Sequence, residues 1–311
     1  MKTIYHPLSG EDQTAMAAMR EAVAPVRGIT FGPETRPMFD EMLEHTPAAL
    51  GVTCEAATVG GVPGWWCRPA NATPNAALLY LHGGAYGIGS ARAYQHFVGQ
   101  IAARAGAAAF AAEYRLAPEH PFPAAVDDAL AAYRGLAGLG LTTIALAGDS
   151  AGGGLALVTL AQVVGLSQSG SGAKPCCAVA MSPWVDLSLS SASMTERAAA
   201  GPMLTRDGLA VAAARYLDRH TAHDPLASPL FGDLTNLPPV RLDVGEDEVL
   251  LDDSRRYVEQ VSAQGGDSEL HVWEGMMHVF PASVGILTAS ETALDGIGGF
   301  LHKHLSSDDS R

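Results

Sequence analysis

The sequence predicts an α/β protein: a mainly parallel central sheet with helices on both faces and a helical cap over the carboxyl edge of the strands. Three observations carry this. Beyond about residue 115, short continuous apolar runs alternate with longer stretches of helical spacing, which is how fully buried parallel strands and their crossover helices read. The length, 311 residues, suits one large α/β domain. A composition that is 48% hydrophobic and 17% charged belongs to a chain with a sizeable buried core.

Taken in order, residues 1–50 are helix-prone and rich in Met, and are expected to be cap helices. The main α/β domain is expected over residues 51–311. It opens with the strand-like runs "VTCEAATV" and "VPGWWCRP", the apolar "AALLYLHGG", and "AAAFAAEYRL" after an Ala-rich helical stretch. "FPAAVDDALAAYRGL" has helical spacing with Pro near its start, "TTIALAGDS" reads as a buried strand and "GLALVTLAQVVGL" as a helix. "CAVAMSPW", "PPVRLDVGE" and "ELHVWEGM" read as further strands, the last two separated by the helix "DSRRYVEQVSAQGG", with the helix "SETALDGIGGFLHKHL" at the C-terminus. Residues 187–223, from "LSLSSASM" through "TRDGLAVAAARYLDRH", break this rhythm and are expected to be a second piece of cap, since open α/β sheets bind ligands at their carboxyl edge. "SQSGSGAK" reads as a flexible loop and the tail "SSDDSR" as frayed.

Charge narrows the partners. With 19 basic and 33 acidic residues the formal net charge is −14, which repels phosphate backbones and anionic lipid and argues against nucleic acid. The start, "MKTIYHPLSGEDQTAM", turns polar where a secretory signal needs an apolar core, and no run is long enough to span a membrane. These features predict a cytoplasmic protein without membrane insertion; a homodimer is compatible with them. Cys54, Cys67, Cys176 and Cys177 make no disulfide framework, and the adjacent Cys176 and Cys177 lack the spaced pairs of a zinc site and read as buried thiols.

The stretch "GDSAGGG", Gly148 to Gly154, places one hydroxyl among small residues between a strand and a helix. That is the Gly-x-Ser-x-Gly pattern of a nucleophile elbow in its required strand-turn-helix context, with Ser150 as nucleophile. A Walker phosphate loop needs Lys and then Ser or Thr at its end, where this chain has Gly154 and Leu155. A serine hydroxyl needs an imidazole to take its proton and a carboxylate to hold that imidazole, in the chain order Ser, acid, His. His6, His45, His82, His96 and His120 precede the serine, His302 and His304 lie on the last helix, and His271 is inside a strand. His220 and His223, "HTAHD", have metal-like spacing but only one Asp beside them, so no metal is expected. His278, on the loop after the last strand, is the base. The acid belongs after "PPVRLDVG": Glu246, Asp247 and Glu248 are candidates, with Asp252 and Asp253 at a helix start, and spacing does not choose among the first three. Gly83 and Gly84, after a buried strand, together with Ala151, are expected to offer backbone N–H groups to the oxyanion of the transition state.

"HGGAYG", "EYRLAPEHPFPAAVDDALAAYRGL", "GDSAGG", "SPWVDL", "EVLLDD" and "GMMHVF", in this order, resemble the hormone-sensitive-lipase-like branch of the α/β-hydrolase fold, the bacterial family IV esterases. The resemblance implies Ser150 as nucleophile, His278 as base and Gly83, Gly84 and Ala151 as oxyanion donors. Its acid motif falls on Glu248-Val249-Leu250-Leu251-Asp252, which puts Glu248 in the acid's place; Ala85 stands where the family has a third glycine. It further implies hydrolysis of short-chain carboxylic esters through an acyl-serine, without metal or organic cofactor. Lactone or amide hydrolysis would use the same residues, and a catalytically silent binding protein of this fold is the different-class alternative.

Overall fold

The computed structural model describes residues 1–168 and 174–306. Most of the loop read in "SQSGSGAK" and nearly all of the tail "SSDDSR" lie outside these residues. Nine strands form one sheet: β1 (Lys2–His6), β2 (Val52–Val59), β3 (Val62–Pro69), β4 (Ala76–Leu81), β5 (Ala108–Ala112), β6 (Thr143–Asp149), β7 (Pro175–Met181), β8 (Val240–Gly245) and β9 (Ser268–Trp273), in the order β1-β9-β8-β7-β6-β4-β5-β3-β2. Only the pairings of β3 with β2 and with β5 are antiparallel. From β5 to β1 every pairing is parallel.

The sheet sits between two helical layers, and β4 shows how the sequence imposes them. All its residues are buried. Alternate side chains point to opposite faces, so Ala77, Leu79 and Leu81 join one core while Ala76, Leu78 and Tyr80 join the other. The first core is closed by α4 (Ala124–Gly138), α5 (Ser150–Gln168) and α8 (Leu251–Ala263), the second by α3 (Ala91–Ala105) and α9 (Thr288–Leu305). Local signals set the helix ends: Ser90 caps α3 by accepting the Ala93 N–H at 3.1 Å, and Gly106 ends it with φ +62°.

The N-terminal segment departs from a wholly helical reading, because Lys2–His6 form the edge strand β1, parallel to β9. "KTIYH" is short and half polar because it covers only the sheet margin; His6 stacks on Trp273 at 3.7 Å and meets Nδ1 of His271 at 2.9 Å. After β1 come α1 (Gly10–Val23) and α2 (Arg36–Glu44). Arg36 fastens α2 to the loops beside the carboxyl edge, donating to the carbonyls of Gly87 and Ala117 at 2.9 and 3.0 Å. The segment 187–223 holds α6 (Ser193–Glu196) and α7 (Arg206–Leu217). Tyr216 of α7 stacks on Tyr86 at 3.7 Å, and its carbonyl accepts the Phe122 N–H at 2.7 Å.

Candidate active site

Strand β6 ends at Asp149, and Ser150 opens α5 with φ +52°. A left-handed backbone is costly for a residue with a Cβ and persists where the surroundings enforce it. They do so here by backbone packing: a Cβ on Gly148 would lie 2.3 Å from the Gly152 carbonyl oxygen, and one on Gly152 would lie 2.1 Å from that of Leu81. Helix α5 therefore leaves the sheet in contact with β4, and the glycines of Gly-x-Ser-x-Gly are steric necessities.

His278 follows β9 and puts Nε2 2.9 Å from Oγ of Ser150. Its Nδ1 lies 3.2 Å from Oε1 of Glu248. A carboxylate only accepts, so the proton sits on Nδ1 and Nε2 is free to accept from the serine hydroxyl. Glu248 is 1% exposed, and its second oxygen accepts from Oγ of Ser182 at 2.7 Å and from the Gly245 N–H at 3.3 Å. Ser182 in turn accepts the Val279 N–H at 3.0 Å, so one hydroxyl ties the carboxylate to the backbone beside the imidazole. The other acids have different partners. Asp247 pairs with Arg20 at 2.6 Å, Glu246 with Arg197 at 3.4 Å, Asp252 with Arg255 at 3.1 Å, and Asp253 accepts the N–H groups of Val185 and Asp186 at 3.0 and 3.1 Å.

One expected oxyanion donor is otherwise engaged. The Gly83 N–H donates to Oδ1 of Asp149 at 3.0 Å. That carboxyl also accepts from the hydroxyls of Tyr80 at 2.7 Å and Tyr94 at 3.0 Å, and burial raises its pKa above the ordinary carboxylate value. Gly84 and Ala85 follow, with φ of +114° and +51°, and both line the cavity in front of Ser150. The sequence assigns no role to Ser182 or Asp149, and marks Ala85 only as a departure from the family's third glycine. The positions flanking the two motifs were visible, but which backbone N–H is spent within the protein is not. His82, the remaining histidine of this region, is neutral: burial pushes its pKa down to about 4, its Nδ1–H donates to the Gly83 carbonyl at 2.8 Å, and its ring stacks on Tyr114 at 4.3 Å.

The cavity has a volume of about 280 Å³ and opens over Ser150 and His278. Its wall is apolar and draws on both segments expected as cap, with Met19, Phe39 and Met42 from the first and Met203, Leu204 and Leu209 from the second. His220 and His223 lie against the rings of Phe122 and Phe231. Among the described residues no cluster of His, Cys, Asp or Glu could hold a metal ion, and no helix is long and apolar enough to cross a membrane.

A serine on a strained strand-to-helix turn, backed by an imidazole and a buried carboxylate at the carboxyl edge of a parallel sheet, defines a serine hydrolase. The comparisons with known proteins agree. Residues 78–282 match the model of a family with the α/β-hydrolase fold. An acetyl-hydrolase of Streptomyces hygroscopicus is 41% identical over 249 residues, covering 79% of this chain and 82% of that protein. An ethyl acetate hydrolase of Pseudomonas putida is 32% identical over 249 residues, covering 76% and 77%. A crystal structure of an esterase from the bacterial hormone-sensitive lipase family superposes with a TM-score of 0.88 at 38% identity, covering 96% of this chain and 99% of that one. The chain belongs to the α/β-hydrolase family, in its bacterial hormone-sensitive-lipase-like esterase branch. It is a serine carboxylic-ester hydrolase.

Proposed function

We propose that the chain hydrolyses small, uncharged carboxylic esters with short acyl groups, in the cytoplasm, through an acyl intermediate on Ser150. The observation that carries this is the unbroken relay from Ser150 through His278 to Glu248 at the floor of an apolar cavity. Nε2 of His278 takes the hydroxyl proton as Oγ attacks the ester carbonyl, and returns it to the departing alcohol. Glu248 holds the imidazole tautomer and stabilises the imidazolium. The N–H groups of Gly84, Ala85 and Ala151 receive the oxyanion; Gly83, whose N–H is bound to Asp149, shapes the loop instead. Water, activated by the same imidazole, then releases the acid.

The substrate class follows from the walls. A cavity of about 280 Å³ is at the small end for ligand sites, and its lining offers no cation to an acidic acyl group. The names of the acetyl-hydrolase and ethyl acetate hydrolase relatives fit that size. A series of p-nitrophenyl esters from acetate to dodecanoate tests it. The expected result is a maximum of kcat/KM at the short end and a burst of nitrophenol matching the enzyme concentration. Absence of turnover on every ester, or a maximum at dodecanoate, overturns the reading.

A further inference from the structure

The outer hairpin of the sheet carries two thiols that the ester chemistry does not use. Strands β2 and β3 are joined by Gly60 and Gly61, with φ +62° and +83°, the signature of a two-residue type I′ turn closed by the pair Val59 and Val62. The closing pair of such a turn is hydrogen-bonded, and hydrogen-bonded and non-hydrogen-bonded pairs alternate from there. Counting along the register makes Cys54 and Cys67 a non-hydrogen-bonded pair. Two observations fix that parity: Pro63 and Pro69, which have no N–H to give β2, fall at non-hydrogen-bonded positions, and the Ala70 N–H donates to the Gly51 carbonyl at 3.1 Å in step with it.

Facing side chains are closest at such pairs. The two Sγ atoms stand 3.3 Å apart, and both approach the carbonyl oxygen of Gln95 on α3, Cys67 at 3.2 Å and Cys54 at 3.8 Å. Cys54 is half-buried and within reach of a small reagent, while Cys67 is fully buried. The thiol of Cys67 beside it favours the Cys54 thiolate and lowers its pKa, whereas Cys67 is pushed up by the same contact and by burial. Cys176 and Cys177, at a bulge of β7, also approach each other, with Sγ atoms 3.9 Å apart, but neighbours across a trans peptide hold their Cα atoms about 3.8 Å apart, closer than an unstrained disulfide allows.

We propose that Cys54 and Cys67 are a modification site, closing to a reversible disulfide when the protein meets a low-molecular-weight disulfide such as glutathione disulfide. The Cys54 thiolate attacks one reagent sulfur, forming a mixed disulfide and releasing one glutathione thiolate. Cys67 then loses its proton and attacks Sγ of Cys54, and the second glutathione leaves and takes up a proton. The reagent is reduced to two thiols and the protein pair is oxidised by two electrons. The sulfurs need to close from 3.3 Å to about 2.0 Å, and the product staples the two outermost strands at the edge opposite β1.

The test is incubation of the folded protein with glutathione disulfide, trapping with iodoacetamide, intact mass and peptide mapping. The wild type is expected to lose two hydrogens and two of its four alkylatable thiols, to yield a peptide linking residues 54 and 67, and to recover all of them with dithiothreitol. Cys67→Ala, which keeps the buried site small and apolar, is expected to stop with one glutathione bound to Cys54, and Cys54→Ser to remain unmodified. Wild type that keeps four thiols, that accumulates the glutathione adduct without closing, or that links any other pair overturns the proposal.

Discussion

Arg20 and Asp247 meet at 2.6 Å, so this carboxylate is spent on fastening α1 beside the last loop, and only its neighbour Glu248 faces His278. Glu248→Gln is expected to lower turnover by about three to four orders of magnitude with little change in KM, as loss of the imidazole's acceptor does in related sites. Asp247→Asn is expected to cost about tenfold or less, through the loosened contact with Arg20. Steady-state kinetics on a chromogenic acetate separates them, and a crippled Asn variant beside a healthy Gln variant would give Asp247 the role.

Ser150→Ala is expected to leave a folded protein without burst or turnover. The small β-carbon stays where the elbow already holds one at φ +52°, and only the hydroxyl facing Nε2 of His278 is lost. Mapping of an organophosphonate adduct checks the assignment, and a label on any other serine in the wild type contradicts it.

The strand-turn-helix around Ser150 and the alternation of buried strands with helices are legible because each is written in local residue types. Spacing does not single out an acid, since Glu246, Asp247 and Glu248 look alike in one dimension, and only the family resemblance puts Glu248 forward. What separates them is where each strand-end side chain turns, and with which arginine it pairs. The partner of the Gly83 N–H is hidden for a similar reason: Asp149 lies 66 residues away along the chain. Strand β1 escaped because an edge strand of five residues buries too little to carry an apolar run.

The glycines of α5 divide by what surrounds them. Gly152→Ala forces a methyl within 2.1 Å of the Leu81 carbonyl and 2.2 Å of that of His82, and is expected to cost about 3 kcal/mol or more, or to leave no folded enzyme. Gly165→Ala, on the same helix with open space around it, is expected to gain about 0.5–1 kcal/mol. Urea unfolding of both variants is the measurement.

Phe39 and Met203 wall the cavity from different segments. Phe39→Ala is expected to raise the ratio of kcat/KM for hexanoate over acetate by about tenfold, and Met203→Trp to lower it by a similar factor, within what a methylene or two is worth in an apolar pocket. Equal losses on both esters in folded protein would remove these side chains from the acyl path.

Asp12 joins the two ends of the chain, accepting from the N–H and hydroxyl of Thr288 at 2.7 and 2.6 Å and from the Ala289 N–H at 3.1 Å, at the start of α9. Burial pushes its carboxyl up, but the bonds from Thr288, Ser9 and Ala289 outweigh it and hold the pKa below the ordinary value. A depressed folded-state pKa stabilises above the unfolded value, and that stability is lost as pH falls through the folded one. Asp12→Ala is therefore expected to lower stability by about 1–2 kcal/mol at pH 7. The gap between variant and wild type should begin to narrow below about pH 4 and go on narrowing as pH falls through the lower folded value; parallel melts at pH 7, 3 and 2 show whether it does.

Much of the cavity wall comes from stretches of chain that carry none of the reacting groups: residues before β2, and residues between β7 and β8. Substitutions there can drift, lengthen or be exchanged between relatives without disturbing the elbow, whose backbone contacts tolerate almost nothing. Selection can thus retune what enters while the chemistry stands still, and a laboratory seeking a new ester specificity has the same freedom in the same two places.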